Sequence, residues 1–140
     1  MNATIKPGSA IPANTILAVE DEPAERSLVV RRLRELGYRV LEAGSGPEAL
    51  AIWSQFPDGI DLLFTDIIMP EGMTGWDLGK TLLAKKPDLK IIYTSGYNIV
   101  KNDFAARNKI TFLQKPYPLE VLTKTIQSLI GISSAAPEME

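Results

Sequence analysis

The sequence predicts an α/β fold: a doubly wound, five-stranded parallel sheet with helices on both faces. Short apolar runs of strand length alternate with longer amphipathic stretches of helix length, and this pair occurs five times along the chain. Because the connections are short, the strands are expected to run parallel, and right-handed crossovers then distribute the helices over both faces. With 140 residues the chain has the length of one such domain.

The first part of the chain supplies two strands and the helix between them. A strand is predicted at 16–19, where four apolar residues follow one another. Pro23 stands at the first position of a helix that extends to about residue 36, and Gly37 ends it. A second strand is predicted at 38–42, and its alternation of polar and apolar residues indicates an edge strand with one wetter face.

The central and C-terminal parts continue the alternation. Gly46-Pro47 opens a second helix, which closes at 57–59. The third strand, 62–64, is continuously apolar, as expected for the middle of a sheet, and it leads to Asp66. The remaining predicted elements are a helix capped by Thr74 and stopped at Pro87, a strand at 91–93, a weaker helix at about 100–107, a strand at 111–113 and a last helix from about 119 that ends at Gly131.

Composition restricts the chemistry that is open to this chain. It contains no cysteine and no histidine, which excludes disulfides, thiolate or imidazole metal ligands and imidazole acid–base catalysis. The net charge of −2 argues against a nucleic-acid-binding surface. The sequence lacks a run of membrane-span or export-signal length, so we expect a cytoplasmic protein without a membrane partner. Proline, glycine and serine near both ends predict flexible segments at 1–14 and 132–140 around one domain at 15–131.

Polar side chains are concentrated where the predicted strands end. They are Glu20, Asp21 and Glu22 after the first strand, Asp66 after the third, Thr94 and Ser95 after the fourth and Lys115 after the fifth. In open α/β sheets the carboxyl ends of the strands meet at one edge, where ligands bind. Clustered carboxylates repel one another unless a cation neutralises them, and an all-oxygen cluster suits Mg²⁺. A lysine and a hydroxyl beside them favour a phosphoryl group.

Each fragment alone has a more ordinary interpretation. Acidic residues before Pro23 are more often a helix cap, and a single Asp at a strand end is usually a turn residue. A lysine before proline is usually solvated, and Thr94-Ser95-Gly96 is usually a turn. The spacing of all four fragments together is much more specific.

In this order, the acidic pair Glu20-Asp21, the segment Asp66-Ile-Ile-Met-Pro, the hydroxyl step before Gly96 and the pair Lys115-Pro116 resemble the receiver domain of two-component response regulators. The resemblance covers about 15–131. It implies a flavodoxin-like sheet with strand order 2-1-3-4-5, which agrees with the edge character of the second strand.

The resemblance also implies a role for each matching residue. Asp66 would be the phosphoacceptor and Lys115 the partner of the phosphoryl group. Asp21 would bind Mg²⁺, with Glu20 holding the ion directly or through water and the backbone carbonyl of Ile68 as a further ligand. Glu20 stands where the family more often has Asp, so the ion is expected to sit slightly differently.

Three further features are implied by position in the family. Ser95 would be the hydroxyl that turns inward on phosphorylation, with Thr94 as the fallback. Phe112 would be the aromatic switch on the fifth strand, and the Lys115–Pro116 bond would be cis.

The implied function is that of a phosphoacceptor in two-component phosphorelay signal transduction. A partner sensor histidine kinase or histidine phosphotransfer protein would donate the phosphoryl group to Asp66 in a Mg²⁺-dependent reaction. The surface formed by the fourth helix, the fifth strand and the last helix would then change shape. Such a domain catalyses its own phosphorylation and dephosphorylation without being a conventional turnover enzyme. Homodimerisation on phosphorylation is left open, and so is whether the chain is a stand-alone regulator or belongs to a hybrid sensor kinase, whose receivers the loop at 70–75 resembles.

Three other interpretations differ in the residues that they require. A Mg²⁺-dependent phosphohydrolase would need a second acid–base Asp two residues after the nucleophile, where this chain has Ile68. A flavin carrier would need a glycine- and hydroxyl-rich phosphate loop after the first strand, where this chain has Glu-Asp-Glu-Pro. A degenerate receiver that acts only as a protein-docking module remains the alternative, although every group that the chemistry needs is present.

Overall fold

The computed structural model describes residues 14–56, 58–69, 72–96, 108 and 110–131. The five strands are β1 (Thr15–Val19), β2 (Arg39–Ala43), β3 (Leu62–Asp66), β4 (Lys90–Ser95) and β5 (Thr111–Gln114). The helices in the described ranges are α1 (Pro23–Glu35), α2 (Gly46–Gln55), α3 (Gly75–Lys85) and α4 (Leu119–Ile130). The flexible segments expected at 1–14 and 132–140 and the weaker helix at 100–107 lie outside the described residues, except for Asn14.

The five strands form one parallel sheet in the order β2-β1-β3-β4-β5, which confirms the predicted topology. The edge position of β2 is also confirmed, since β2 stands at one end of the strand order, and only two of its five residues are buried. β1 and β3 are buried along their whole length because helices cover both faces of the sheet. The strand order reverses between β1 and β3, because β2 is added on one side of β1 and β3 on the other. The carboxyl ends of β1 and β3 therefore form the crevice where a ligand is expected.

Each face of the sheet has its own apolar core. On one face α2 and α3 bury side chains such as Trp53 and Leu82 against Leu63. On the other face α1 and α4 bury Leu33 and Leu122 against central strands. Together these cores remove most large apolar side chains from water, which is the dominant favourable term in folding.

The fourth strand is longer than the predicted 91–93. It runs from Lys90 to Ser95, because Thr94 pairs with both Asp66 and Leu113, and Ser95 pairs with Gln114. Two residues that local sequence assigns to a turn are therefore held in the sheet by its neighbours.

Helix α3 begins where the sequence predicts. The Thr74 hydroxyl accepts a hydrogen bond from the Asp77 backbone N–H at 3.1 Å, and the Asp77 carboxylate accepts one from the Thr74 N–H at 3.1 Å. This reciprocal capping satisfies two backbone donors at the start of the helix. Thr74 is thereby confirmed as the residue that caps the third helix.

The start of α3 lies directly against the end of β3. The Gly75 N–H donates to the Ile67 carbonyl at 2.6 Å, and a Cβ on Gly75 would lie 2.8 Å from the Ile67 Cα and would overlap the Asp66 carbonyl oxygen. Only a residue without a side chain allows this approach. Gly75 therefore holds the backbone around Asp66 in place.

In the described ranges, no helix combines the length and the apolar character needed to cross a bilayer.

We predict that Gly75→Ala destabilises the protein by about 1–3 kcal/mol, since the added methyl group forces α3 away from β3. Gly59→Ala is the control, because a Cβ there would meet only ordinary van der Waals contacts with Phe56. Urea unfolding of both variants measures the difference, and equal stability of the two would contradict the proposed close approach.

We predict that Tyr38→Phe lowers stability at pH 7 by about 0.5–1.5 kcal/mol, because the Tyr38 hydroxyl donates a 2.6 Å hydrogen bond to the Gly131 carbonyl at the end of α4. Burial raises the pKa of Tyr38 above its ordinary value. The folded state therefore retains the phenolic proton more strongly than the unfolded chain. This contribution is complete below about pH 10 and is lost as the pH rises further.

Unfolding of the wild type and Tyr38→Phe between pH 7 and pH 11 measures this effect. Tyr93→Phe is the control at pH 7, since the Tyr93 hydroxyl has no hydrogen-bond partner in the described part of the chain. A gap between wild type and Tyr38→Phe that widens above pH 10 would contradict the assignment.

Candidate functional site

Three carboxylates meet at the carboxyl ends of β1 and β3. One oxygen from each of Glu20, Asp21 and Asp66 lies within 4.8 Å of the other two. Glu20 and Asp66 are buried, whereas Asp21 is exposed. The structure thus brings together Glu20, Asp21 and Asp66, whereas the side chain of Glu22, which the sequence places beside them, caps α1 instead.

Backbone and side-chain contacts fix the turn that carries Glu20. Its backbone N–H donates to the Ala43 carbonyl at 3.0 Å, and its own carbonyl accepts from the Arg26 guanidinium at 2.7 Å. The Glu22 N–H donates to the Glu20 carboxylate at 3.2 Å. The backbone of Glu20 is therefore fixed at its N–H and at its carbonyl, and the Glu22 N–H orients its carboxylate.

Asp66 is held by the turn that follows it. The Ile68 N–H donates to Asp66 Oδ1 at 3.3 Å, and the Ile67 N–H donates to the Thr94 carbonyl at 2.9 Å. The Ile68 side chain is exposed. Ile68 thus lies on the turn that carries Asp66, and its role as a carbonyl ligand stays a prediction.

Lys115 brings a positive charge to the acidic cluster. Its Nζ donates to Glu20 Oε1 at 2.8 Å, to Asp66 Oδ2 at 2.9 Å and to Glu25 Oε1 at 2.8 Å. Its backbone N–H donates to the Ser95 carbonyl at 2.8 Å, which fixes the start of the turn after β5. The Lys115–Pro116 peptide bond is cis.

The electrostatics follow from burial and from this contact. Burial raises the pKa of Glu20, while the hydrogen bonds from Lys115 and from the Glu22 N–H partly oppose the rise. Burial would lower the pKa of Lys115, but its hydrogen bonds to the three carboxylates outweigh burial and raise the pKa. Lys115 therefore remains charged at neutral pH. Nearby, burial raises the pKa of Tyr117 to about 12.

These residues fit a hard divalent cation. All the side-chain donors are carboxylate oxygens, which Mg²⁺ prefers, and three carboxylates on one cluster carry more negative charge than a single lysine neutralises. Asp21 is the exposed member, so the cluster is open to an ion from solvent.

The residues that carry the two candidate hydroxyls, Thr94 and Ser95, lie at the end of β4, which pairs with β3. Thr94 is paired in register with Asp66 and is fully buried, and its hydroxyl has no hydrogen-bond partner among the residues that the structure describes. Ser95 is also buried and is tied to Lys115 through its carbonyl. The choice between them as the switch hydroxyl stays a prediction.

Phe112 belongs to a cluster of three aromatic rings on β4, β5 and α3. Its ring centroid lies 5.9 Å from that of Tyr93 and 5.8 Å from that of Trp76, and Tyr93 and Trp76 are 4.6 Å apart. Gly79 leaves room for the Tyr93 ring, because a Cβ there would overlap the Tyr93 hydroxyl. A movement of Phe112 would therefore change its contact with Trp76 on α3.

Sequence reasoning missed two residues of the site, Glu25 and Arg26. Glu25 contacts Lys115, and Arg26 contacts the Glu20 carbonyl and forms an ion pair with Glu42 at 3.3 Å. Both lie on the first turn of α1, one turn after the acidic pair. Their periodicity resembled an ordinary charged helix surface, and the only available signal was their closeness in sequence to Asp21.

Comparisons with known proteins agree with the fold. The family model described as the response regulator receiver domain matches residues 16–127. The chain is 41% identical, over 91% of its length, to the sensor kinase CckA of Brucella abortus (strain 2308), of which it covers 13%. It is 33% identical to the response regulator receiver protein CpdR of the same organism, with 82% of this chain and 95% of CpdR covered.

A solved structure shows the same similarity in three dimensions. The response regulator protein TrrA from Thermotoga maritima, in complex with Mg(2+)-BeF, superposes with a TM-score of 0.72 at 32% identity. The superposition covers 83% of this chain and 98% of that one. The chain therefore spans nearly the whole of compact receivers and only a small part of the sensor kinase.

We predict that Lys115→Met destabilises the metal-free protein by about 1–3 kcal/mol, because Glu20 and Asp66 lose the donor that compensates for their burial. Mg²⁺ should then stabilise Lys115→Met more than it stabilises the wild type, since the ion replaces the missing positive charge. Thermal unfolding with and without MgCl₂ measures both effects. Lys124→Met, on the exposed surface of α4, is the control, and the same Mg²⁺ response in all three proteins would contradict the cation site.

Proposed function

The chain belongs to the response regulator receiver domain family of two-component signalling, and we propose that Asp66 is its phosphoacceptor. The observation that carries the proposal is the position of the Asp66 carboxylate. It shares the Lys115 ammonium with Glu20 and lies within 4.8 Å of the carboxylates of Glu20 and Asp21. This arrangement, at the edge of the sheet where ligands bind, supports the proposed roles of a nucleophile, an ammonium and a set of metal ligands.

The reaction is a transfer of a phosphoryl group from nitrogen to oxygen. An oxygen of Asp66 attacks phosphorus in line with the P–N bond of a phosphohistidine. The P–O bond forms as the P–N bond breaks, and the electron pair of the P–N bond returns to the imidazole nitrogen of the donor. Lys115 stabilises the negative charge on the phosphoryl oxygens, since its ammonium already lies 2.9 Å from Asp66. The product is an aspartyl phosphate.

Mg²⁺ is the proposed cofactor. Glu20, Asp21, Asp66 and the carbonyl of Ile68 would hold the ion, which neutralises phosphoryl charge and orients the group when it is bound. The chemistry of the donor set supports this assignment, because every side-chain ligand offers a carboxylate oxygen. The capture of a structural relative with Mg(2+)-BeF supports it as well.

The output of the domain is proposed to begin at β4. The aspartyl phosphate draws in the hydroxyl of Ser95, or of Thr94 as the alternative, and Phe112 follows into the space that the hydroxyl leaves. Phe112 contacts Trp76 and Tyr93, so its movement also reaches α3. The same rearrangement would offer a surface for phosphorylation-dependent homodimerisation.

This sequence contains no histidine, so a phosphohistidine donor must lie outside it. We propose a sensor histidine kinase or a histidine phosphotransfer protein as the partner, in the cytoplasm. The similarity to sensor kinases such as CckA and LuxN supports a kinase of the two-component type. Relatives include both compact receivers and hybrid kinases, and either context is compatible with the site.

Intact-mass spectrometry after incubation with acetyl phosphate tests the proposal. We expect the wild type to gain one phosphoryl mass with Mg²⁺ present and none after EDTA, because the transfer requires the cation. Asp66→Asn should gain none under any condition, whereas the control Asp88→Asn, in an exposed turn, should behave as the wild type. No gain in the wild type would favour a degenerate receiver that acts only as a docking module.

A further inference from the structure

We propose that Glu25 is a positioning residue that competes with the phosphoryl group for Lys115 and so restrains phosphorylation of Asp66. The inference rests on the proposed function of Asp66. It adds Glu25, a residue that takes no part in the transfer itself. Glu25 lies in the first turn of α1, and its carboxylate contacts Lys115 at 2.8 Å, across 90 residues of sequence.

The hydrogen-bonding capacity of Lys115 is fully used in this structure. An ammonium group has three N–H donors and no acceptor. Lys115 directs one donor each to Glu20, Asp66 and Glu25, at 2.8, 2.9 and 2.8 Å. A phosphoryl group on Asp66 takes over the donor that Asp66 now receives, and it can gain a further donor from Lys115 only if Glu20 or Glu25 gives up its own.

Burial decides which carboxylate yields. The side chain of Glu20 is only 7% exposed, whereas that of Glu25 is 53% exposed. A buried carboxylate that loses its donor is left without compensation, while an exposed one is solvated by water at once. Glu25 also lies on the rim of an open groove of about 240 Å³ between α1 and the turn after β5. It is therefore the carboxylate that leaves Lys115 when a phosphoryl group arrives.

The contact has little to do with holding the fold together. The start of α1 has its own cap, because the Glu22 carboxylate accepts from the Ala24 N–H and Pro23 occupies the first turn. An ion pair with one half-exposed partner adds little to stability. The effect of Glu25 is instead to keep Lys115 occupied, at the expense of the group that Lys115 must later bind.

The test measures the affinity for beryllofluoride, a phosphoryl analogue, by ¹⁹F NMR titration at saturating Mg²⁺. Glu25→Gln should bind it about two- to fivefold more tightly than the wild type, the range expected for loss of one exposed ion pair. Glu25→Asp keeps the charge but shortens the side chain, so it should also bind more tightly than the wild type.

Glu22→Gln is the matched control. It removes one negative charge from the same turn, its amide oxygen can still cap α1, and Glu22 does not contact Lys115 in the structure. Its affinity should remain within a factor of about 1.5 of the wild type, since a charge at that distance is largely screened by solvent and salt.

A second readout needs neither metal nor analogue. Proton exchange of the Lys115 ammonium, followed by ¹⁵N NMR in the metal-free protein, should be faster in Glu25→Gln and Glu25→Asp than in the wild type and Glu22→Gln. A merely structural role for Glu25 would leave this exchange unchanged.

Each outcome discriminates. Tighter analogue binding by both Glu25 variants, with faster exchange, supports the inference. Equal or weaker binding by Glu25→Gln, or an equal gain in Glu22→Gln, overturns it while leaving the phosphoacceptor role of Asp66 intact. Failure of the wild type to bind the analogue at all overturns the proposed function itself, and this inference with it.

Discussion

Repulsion among carboxylates at the edge of the sheet is the constraint on which the site depends. Glu20, Asp21 and Asp66 are brought within 4.8 Å of one another by two parallel strands that end side by side. Like charges at this distance repel one another, and the burial of Glu20 and Asp66 removes water that would weaken the repulsion. A cation is needed, and this need links the fold to its chemistry, because the same positive charge that relieves the repulsion can stabilise a transferred phosphoryl group.

Lys115 meets part of this need from within the chain. It reaches the cluster from the end of β5, two strands away from Asp66, and its backbone is fixed to Ser95 on the strand between them. The position of the Lys115 ammonium therefore depends on the position of β4 as well as on the charge of Asp66. Because Lys115 is shared among three carboxylates, a new anion at Asp66 must redistribute the hydrogen bonds of the Lys115 ammonium.

The scaffold around the site combines rigid and adjustable parts. Gly75 presses the start of α3 against the end of β3, and Arg26 holds the Glu20 carbonyl, so the acidic residues are carried by a firmly supported backbone. The buried Thr94 hydroxyl, by contrast, has no hydrogen-bond partner among the described residues. An unsatisfied polar group of this kind is costly, and one beside Asp66 marks a place where a second arrangement of the side chains can gain a hydrogen bond.

The sequence by itself determined the order of the elements, the strand order implied by the family resemblance, and the residues at each strand end. These features follow from local patterns: apolar runs, a capping threonine at position 74, glycine stops and the positions of charged residues relative to them. The same patterns did not show that Thr94 and Ser95 belong to β4, because pairing with β3 and β5 holds them there. Tertiary structure alone decided that Glu25 meets Lys115 and that Tyr93 fits against Gly79. Such contacts depend on how each helix is rotated and packed on the sheet, and residues far apart in sequence carry no periodic signal of that rotation.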